Sequence, residues 1–201
     1  MDPVEIVMKK AGVFIVAAFL VCLSATSFAC VGKTLIIGTL KTPIESLEAQ
    51  LMAVIINERT GTTVNVEYFD TEEQLLAAVK KREVNIYTDN TGRALQQLGM
   101  TLDGDAETIY TEVKEAFRKQ FHLVMLNPFG KTSDDDANNA YIDVPVVAEG
   151  ILIDFPALPR VINKLASIAE DKNYPKLIAS VESGDKPNQV ARDFLKKKRF
   201  I

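Results

Sequence analysis

The chain alternates between short apolar blocks and longer stretches with apolar residues at helical spacing, which predicts strands and helices in turn. Residues 34–39 (TLIIGT) are apolar and β-branched, as in a strand buried in a parallel sheet. Residues 42–45 (TPIE) place an N-cap threonine, a proline and a glutamate where a helix start requires them. We expect that helix to run to about Glu58 and to end before Gly61.

The strand-then-helix order then repeats. Residues 64–68 alternate as a second strand, and Asp70 followed by Glu73 predicts the cap of a second helix. A third strand is predicted over residues 84–87. Because successive parallel strands need right-handed crossovers, this order predicts an α/β domain with a mostly parallel sheet and helices on both faces.

The rest of the chain carries both patterns. It predicts, in order, a helix over 107–120, a strand over 121–126, a polar, acidic loop over 131–139, a strand over 141–147, and helices over 155–170, 175–182 and 188–198. The single histidine, His122, falls in an apolar strand and is expected to be a core or edge residue. No internal repeat interrupts this order, so we expect one domain with its own core.

The N-terminus predicts export. Residues 8–30 contain two lysines, an apolar run over 11–23 and small residues before Cys30, which is the layout of a secretory signal. The apolar run is shorter than the roughly 20 residues that span a bilayer. We therefore expect residues 1–29 to be a signal peptide, with Met8 as an alternative start, and the mature protein to be periplasmic or otherwise extracytoplasmic.

Cleavage after Ala29 would make Cys30 the first mature residue, and two interpretations of that cysteine stay open. It is a candidate for the lipidation that tethers bacterial lipoproteins to a membrane, although residues 27–28 (SF) fit the usual L-[AS]-[GA]-C pattern poorly. It is equally the first residue of an unmodified exported protein. Because Cys22 lies in the segment to be removed, no internal disulfide and no cysteine-based metal site is expected.

Charge and motif content exclude several functions. A net charge of −4 argues against nucleic acid or an anionic membrane surface as the main partner. The sequence has no Gly-rich phosphate loop, no G-x-S-x-G and no H-E-x-x-H motif, so neither enzymatic activity nor a cofactor is predicted. Asp134, Asp136 and Asn138 imitate the start of a calcium loop, but Asn139 stands where that loop needs glycine, so no metal site is predicted.

Three segments resemble one known family. Residues 84–92 (VNIYTDNTG) resemble the D-I-Y-P-E-Y-T-G-T segment of the substrate-binding proteins that serve glycine betaine, choline and related osmoprotectant ABC importers. Residues 123–132 (LVMLNPFGKT) resemble the L-V-W-L-D-P-x-G-x-N/T stretch of that family. Residues 158–201 resemble its closing segment, in which L-N-K-L-A is followed by G-x-D-P-x-x-V-A-R-x-F-L.

The resemblance implies a type II periplasmic-binding-protein fold, a solute-binding function, an ABC permease as partner, and a small quaternary-ammonium or zwitterionic osmolyte as ligand. Relatives leave their first lobe after the L-D-P-x-G-x segment, build a second α/β domain and then return. Here the return begins about a dozen residues after Gly130, far fewer than the roughly 50 residues of a small domain. We therefore expect residues 30–201 to form a single lobe, with residues 131–143 in place of the second.

A ligand of such a fold is expected at the carboxyl ends of the strands. The candidate ligand-binding residues are Thr39, Lys41, Tyr87, Asp89, Asn90, Thr91 and Tyr110. The two tyrosines are candidates for a partial aromatic cage that holds a cation by cation–π attraction, whereas Asn90 replaces the second tyrosine of the family segment. Turn formation explains the Asp, Asn and Thr residues equally well.

Two functions remain. The first is an exported solute-binding protein of an osmoprotectant ABC system that binds weakly, because binding proteins of this kind close two lobes around the ligand. The alternative is a repurposed lobe-one module that contacts another protein or a second copy of this chain without binding osmolyte. In that case an apolar contact face, with the acidic loop at its rim, is expected to be exposed. Its predicted residues are Pro43, Ile44, Tyr87, Asn90 and Phe129.

Overall fold

The computed structural model describes residues 33–101, 104–130 and 141–201. Its strands are β1 (Leu35–Leu40), β2 (Val64–Phe69), β3 (Ile86–Asn90), β4 (Leu123–Met125) and β5 (Asp143–Ala148). Its helices are α1 (Pro43–Thr60), α2 (Glu72–Lys80), α3 (Thr91–Leu98), α4 (Ala106–Phe121), α5 (Ile151–Asp154), α6 (Leu158–Ile162), α7 (Tyr174–Glu182) and α8 (Pro187–Lys197). The predicted signal peptide with Cys30 and the acidic loop over 131–139 lie outside the described residues.

The five strands form one sheet in the order β2-β1-β3-β5-β4. β1 pairs in parallel with β2 and β3, whereas β5 runs antiparallel to β3 and β4. Four strands therefore point in one direction, and β5 returns between β3 and β4. This arrangement confirms the predicted α/β fold with a mostly parallel sheet. It also brings the carboxyl ends of β1 and β3 next to the amino end of β5.

Two hydrophobic cores cover the two faces of the sheet, as predicted. Neighbouring strand residues alternate between them: Ile86 and Val147 join one core, and Tyr87 and Val146 join the other. Residues of α1, α6, α7 and α8 complete the first core, and residues of α2, α3 and α4 complete the second. The sheet thus stands between two helical layers.

Helix α1 confirms its predicted start and end. The Thr42 side chain accepts a hydrogen bond from Glu45 N (3.2 Å), Pro43 follows the cap, and Gly61 ends the helix at a left-handed φ of 70°. Burial extends around almost the whole helix rather than along one face, because α6, α7 and α8 pack over the surface that the sheet leaves free. α1 is therefore the central helix of its layer.

The third strand is shifted from its prediction. It starts at Ile86 and continues through Asp89 and Asn90, where a loop was expected. No loop follows, because the Asn90 side chain accepts a hydrogen bond from Gly92 N (2.9 Å) and caps α3 directly. Helix α3 was not predicted, since a Thr-Gly pair at its start is typical of a turn. Thr39 likewise lies inside β1 and not in the loop after it.

The start of α2 and the C-terminal end of α4 also differ from their predictions. Thr71, not Asp70, caps α2, and its side chain accepts a hydrogen bond from Gln74 N (3.3 Å). His122 ends α4 in the left-handed conformation, with φ 56° and a side chain that is 80% exposed. The prediction that His122 is a core or edge residue of a strand is therefore wrong. β4 begins one residue later, at Leu123.

The helix predicted over 155–170 is broken after α6 into two short 3-10 turns. The cause is long-range backbone pairing. Ser167 N donates to the Pro128 carbonyl (3.0 Å), and Ala169 N donates to the Phe129 carbonyl (2.8 Å). These donors are unavailable to a continuous helix, so the segment that contains Phe129 is fixed by the C-terminal part of the chain.

Candidate functional site

The carboxyl ends of β1 and β3 form the candidate site, since ligands of open α/β sheets bind at this edge. The starts of α1 and α3 and the amino end of β5 lie beside these strand ends. The strand register places Asn90 opposite Asp143, and Asn90 Nδ2 donates to Asp143 Oδ1 at 3.0 Å. The edge therefore joins segments that are far apart in the sequence.

An ion cluster centred on Arg93 occupies this edge. Its Nη1 donates to Glu45 Oε1 (2.7 Å), its Nε to Asp89 Oδ1 (3.2 Å) and its Nη2 to the Thr88 carbonyl (3.4 Å). The exposed fractions of the side chains are 23% for Arg93, 13% for Glu45 and 2% for Asp89. Because the cluster is largely shielded from water, these charges interact more strongly than an open surface pair. The guanidinium thereby links α1, β3 and α3.

Asp89 is the most buried member of the cluster. Asn90 N (2.8 Å) and Gln97 Nε2 (3.1 Å) also donate to its carboxylate. Burial raises the pKa of Asp89 to about 6, and the Arg93 guanidinium and these hydrogen bonds oppose the rise. Its contribution to folding stability is therefore fully present below the unfolded-state pKa of about 4 and is lost as the pH rises through about 6.

A second acid of this region, Glu48 on α1, is fully buried. The Tyr174 hydroxyl donates to Glu48 Oε1 at 3.0 Å. Burial raises the pKa of Glu48 well above its usual value, and the Asp143 carboxylate raises it further. Glu48 Oε2 and Thr88 Oγ1 have no hydrogen-bond partner within the described part of the chain. Burial thus stabilises the neutral, protonated carboxyl of Glu48 relative to its carboxylate.

Several predicted ligand residues lie at this edge but already make contacts within the protein. Thr39 is 1% exposed, and its hydroxyl donates to the carbonyl of the next residue (3.2 Å). Thr91 is fully buried, and its Oγ1 accepts a hydrogen bond from Ile142 N (3.1 Å). Lys41 is exposed and forms an ion pair with Asp70 at 2.5 Å. The structure thus places these residues at the predicted edge and gives each of them an internal partner.

The two predicted aromatic residues are anchored in different places. Tyr87 is 2% exposed, its ring joins the core of the α2–α4 face, and its hydroxyl lies 3.5 Å from Asp89 Oδ2. Tyr110 lies on α4, where its hydroxyl donates to the Leu126 carbonyl (2.8 Å) and accepts from Lys114 Nζ (3.0 Å). Tyr87 is therefore a core residue, and Tyr110 is fixed beyond the end of β4. Their contact with a ligand stays a prediction.

Sequence reasoning missed Arg93 and Tyr141. The spacing of Asp89 and Arg93 matches an i,i+4 ion pair, but with α3 unrecognised nothing placed the two side chains together. Tyr141 is tied to Gly92, because a Cβ at Gly92 would come within 2.7 Å of the Tyr141 ring. Glycine at this position therefore allows a half-buried aromatic ring to pack against the first turn of α3. Tyr141 is an aromatic candidate that the sequence analysis did not select.

The prediction of an exposed contact face is wrong for two of its five residues. Tyr87 is 2% exposed and Phe129 is fully buried. The backbone of Phe129 is held from both sides, by donation from Phe129 N to the Asp143 carbonyl (2.9 Å) and from Ala169 N to the Phe129 carbonyl (2.8 Å). The Phe129 ring therefore packs in the core with α1. The other three residues of the predicted face are half-buried.

No group of three or more His, Cys, Asp or Glu side chains in the described ranges is arranged to hold a metal ion. Within the same ranges, no helix combines the length and the apolar content needed to cross a membrane.

Solved structures share this fold. A glycine betaine/carnitine/choline ABC transporter structure superposes with a TM-score of 0.74 at 13% identity, over 84% of this chain and 98% of that chain. Apo YehZ from Escherichia coli gives 0.72 at 14% identity, over 85% and 100%. Lactococcal OpuAC, in its closed-liganded conformation with glycine betaine, gives 0.52 at 9% identity, over 84% and 97%. At these identities the likeness shows the common periplasmic-binding-protein-like fold.

A comparison with curated proteins found no match. The family model OpuAC, the substrate binding domain of ABC-type glycine betaine transport systems, matches residues 33–136, just over half of the 201-residue chain. The family consists of solute-binding domains of transporters and not of enzymes. The chain therefore belongs to the substrate-binding domain family of ABC-type glycine betaine transport systems, the family that its sequence segments resemble.

Proposed function

We propose that the protein is the exported solute-binding component of an osmoprotectant ABC importer, and that it binds a small quaternary-ammonium or zwitterionic osmolyte at the ends of β1 and β3. The charge of this edge carries the proposal. In the described part of the chain, Glu45 and Asp89 pair there with the guanidinium of Arg93, and Asp143 lies beside Asn90 at the same edge. An excess of carboxylates favours a ligand that carries a positive group.

The rim of the site supplies the proposed ligand contacts. Lys41 and Asp70 are 58% and 69% exposed, and such exposed pairs contribute little stability, so Lys41 is able to exchange Asp70 for the carboxylate of a zwitterion. The half-buried Tyr141 ring offers cation–π attraction beside α3. Asn90 adds its side-chain amide at the end of β3. The buried residues Thr39, Tyr87, Asp89 and Thr91 lie beneath this rim in the core.

We further propose that residues 131–143 replace the second lobe and that the partner is an ABC permease. A single lobe leaves one side of the ligand in water, where a cation–π contact contributes about 0.5–1 kcal/mol instead of about 2 kcal/mol. The expected affinity is correspondingly low, with a Kd on the order of 1 mM.

Titration calorimetry with glycine betaine, choline, carnitine and proline betaine tests the proposal. At least one of these solutes is expected to bind in the millimolar range. Asn90→Ser is expected to weaken that binding by about two- to tenfold, because serine still caps α3 but lacks the amide. The matched control is Asn65→Ser on β2, which changes an exposed asparagine near the opposite end of the sheet and leaves affinity unchanged.

The outcomes separate the parts of the proposal. A micromolar or tighter complex would contradict the single-lobe account and leave solute binding intact. No heat with any of the four solutes would contradict osmolyte binding itself. Equal losses in Asn90→Ser and Asn65→Ser would remove the end of β3 from the site.

Export rests on the predicted signal peptide. Protein recovered from the cell envelope is expected to have the intact mass of a chain that begins at Cys30. A mass that retains Met1 or Met8 in that fraction would contradict cleavage. Additional mass from acyl chains on Cys30 would establish a membrane tether, and an unmodified Cys30 would establish a free extracytoplasmic protein.

A repurposed lobe-one module is the second candidate function. It is favoured by the internal contacts of Thr39, Tyr87 and Thr91, which leave these predicted ligand residues buried. Under this hypothesis the half-buried residues of the rim, among them Pro43 and Ile44, contact another protein or a second copy of the chain. A stable oligomer in light scattering, together with no osmolyte heat, would favour this candidate over the first.

A further inference from the structure

A pocket of about 710 Å³ lies at the edge of the sheet opposite the candidate site. It is lined by the ends of α2 and α4, by the last residue of β5 and by the three residues that follow it. The amino ends of β3 and β4 lie at this edge, and Leu123 pairs there with Ala148. The volume falls within the range of small-ligand pockets, about 300–1,000 Å³. The pocket is therefore separate from the ends of β1 and β3 and large enough for a ligand.

The floor of this pocket is apolar. It includes Leu76, Val79, Val84 and Leu123, which belong to the core of the α2–α4 face or pack against it. Val84 is 1% exposed and Leu123 is 9% exposed, so their positions are fixed by the surrounding core. An apolar group that enters the pocket would meet a preformed surface and displace water from it.

The rim of the pocket carries uncompensated positive charge. Lys80 and Arg82 line it, both are exposed, and neither forms an ion pair or a side-chain hydrogen bond with any described residue. Glu149 also lines the pocket, but it is already paired with Arg118 at 2.7 Å and lies 3.6 Å from His122 Nδ1. Free cations beside an apolar floor complement a ligand with an apolar body and an anionic end.

The backbone gives a second, independent observation. Arg82 and His122 adopt left-handed φ values of 62° and 56° just after α2 and α4, where glycine is the usual residue. Four described non-glycine residues have a positive φ, and these two line the pocket. The helix dipole does not require them, because Lys80 and Lys119 already supply a cation to the last turns of α2 and α4. Basic side chains thus stand at two positions where the backbone favours glycine.

We propose that this pocket binds an amphipathic anion, with an apolar chain against the floor and a carboxylate or phosphate head group held by Lys80 and Arg82. The planar guanidinium of Arg82 suits a bidentate contact with either head group. The inference goes beyond the proposed osmolyte function and does not depend on it, since the two sites lie at opposite edges of the sheet. Gln97 lines the pocket, and its side-chain amide donates to Asp89 Oδ2 (3.1 Å) without being one of the proposed osmolyte contacts.

Titration calorimetry of the purified protein with sodium decanoate tests the proposal, with decyl phosphate and decan-1-ol as comparison ligands. Decanoate or decyl phosphate is expected to bind about tenfold more tightly than decan-1-ol, and the tighter of the two identifies the head group. The double variant Lys80→Ala/Arg82→Ala is expected to lose about tenfold in affinity for it. The matched control Lys81→Ala removes a neighbouring exposed cation that does not line the pocket, and is expected to bind unchanged.

A single variant separates binding from folding. Arg82→Gly is expected to raise the midpoint of thermal unfolding by about 3 °C, because glycine relieves the left-handed backbone, and to weaken binding of the anion by about threefold. The proposal would be overturned by an absence of heat with both anions. It would equally be overturned by decan-1-ol binding as tightly as they do, or by a double variant that binds as tightly as Lys81→Ala.

Discussion

Replacing Phe129 with alanine is expected to lower the free energy of unfolding by about 3–5 kcal/mol. The ring is fully buried in the core that α1 shares with the C-terminal helices. Its removal loses apolar contacts and leaves a cavity that the backbone cannot close, because Asp143 and Ala169 bond to Phe129 from two sides (2.9 and 2.8 Å). Denaturant unfolding followed by circular dichroism measures the loss.

The matched control is Ile153→Ala, which truncates a large hydrophobic side chain that is 85% exposed. Its expected effect is within about 0.5 kcal/mol, because little apolar area returns to water. Phe129→Asp, the natural test of an exposed contact face, is expected to yield no folded protein, since it places a carboxylate in the core. An unfolding free energy of Phe129→Ala equal to that of the unmodified protein would show that the ring stands on an exposed face after all.

Phe129 illustrates what the sequence does not reveal. Locally, the Asn-Pro-Phe-Gly run over 127–130 is typical of a turn, and a turn aromatic at the end of a strand is expected to be exposed. Its burial depends on Ser167 and Ala169, about forty positions further along the chain. Their backbone amides donate to carbonyls of this turn and not to carbonyls of a continuous helix. Nothing in the sequence of either segment indicates that the two segments bond to each other. The spacing of apolar residues alone therefore predicts a continuous helix over 155–170.

The elements that were predicted correctly are those whose cause is local. The cap at Thr42, the proline at Pro43 and the left-handed Gly61 all act within one turn of α1, and its start was predicted to the residue. Helix α3 has equally local capping by Asn90, but the Thr-Gly pair that follows is as typical of a turn as of a helix start. The Thr91-Gly92 pair therefore explains both errors, the loop predicted after β3 and the failure to predict α3.

The sequence predicted that the candidate residues at the ends of β1 and β3 lie at one edge of the sheet, but it did not predict their contacts. Parallel strands bring Thr39 and Asp89 to one edge whatever the side chains do, so the order of elements was sufficient to locate them. The contacts of Asn90 with Asp143 and of Thr91 with Ile142 depend instead on β5, which lies antiparallel between β3 and β4. The strand-like pattern that predicts β5 does not indicate whether the strand runs parallel or antiparallel to its neighbours. The burial of Tyr87 and Thr91 could therefore not be predicted.

Arg93→Met is expected to lower the free energy of unfolding by about 2–3 kcal/mol at pH 8 and by clearly less at pH 5. Methionine keeps an apolar stem of similar length but leaves the carboxylate of Asp89, which is 2% exposed, without its guanidinium. Removing one partner of a buried pair costs about 3–5 kcal/mol, and the 23% exposure of Arg93 reduces that figure. Urea unfolding at the two pH values measures both losses.

The direction of the pH dependence follows from the state of Asp89. Burial holds its pKa at about 6 even with Arg93 present, and without the guanidinium the pKa rises further. At pH 5 the carboxyl of the variant is therefore protonated and needs no cation, whereas at pH 8 it must either remain charged in the core or take up a proton at a free-energy cost. The penalty of Arg93→Met thus grows as the pH rises.

Two further variants isolate this cause. Arg93→Met/Asp89→Asn is expected to recover most of the loss at pH 8, because asparagine removes the buried charge and keeps an oxygen for the amide of Asn90. Arg192→Met, which breaks the half-exposed pair with Glu58, is expected to cost less than about 1 kcal/mol and the same amount at both pH values. Equal losses of Arg93→Met at pH 5 and pH 8, or no recovery in the double variant, would show that Arg93 does not stabilise the end of β3 through Asp89. The recovery expected instead would show that the cost of Arg93→Met comes from the unpaired carboxylate of Asp89, so that any ligand of this edge must leave the Arg93–Asp89 pair intact or give Asp89 another positive partner.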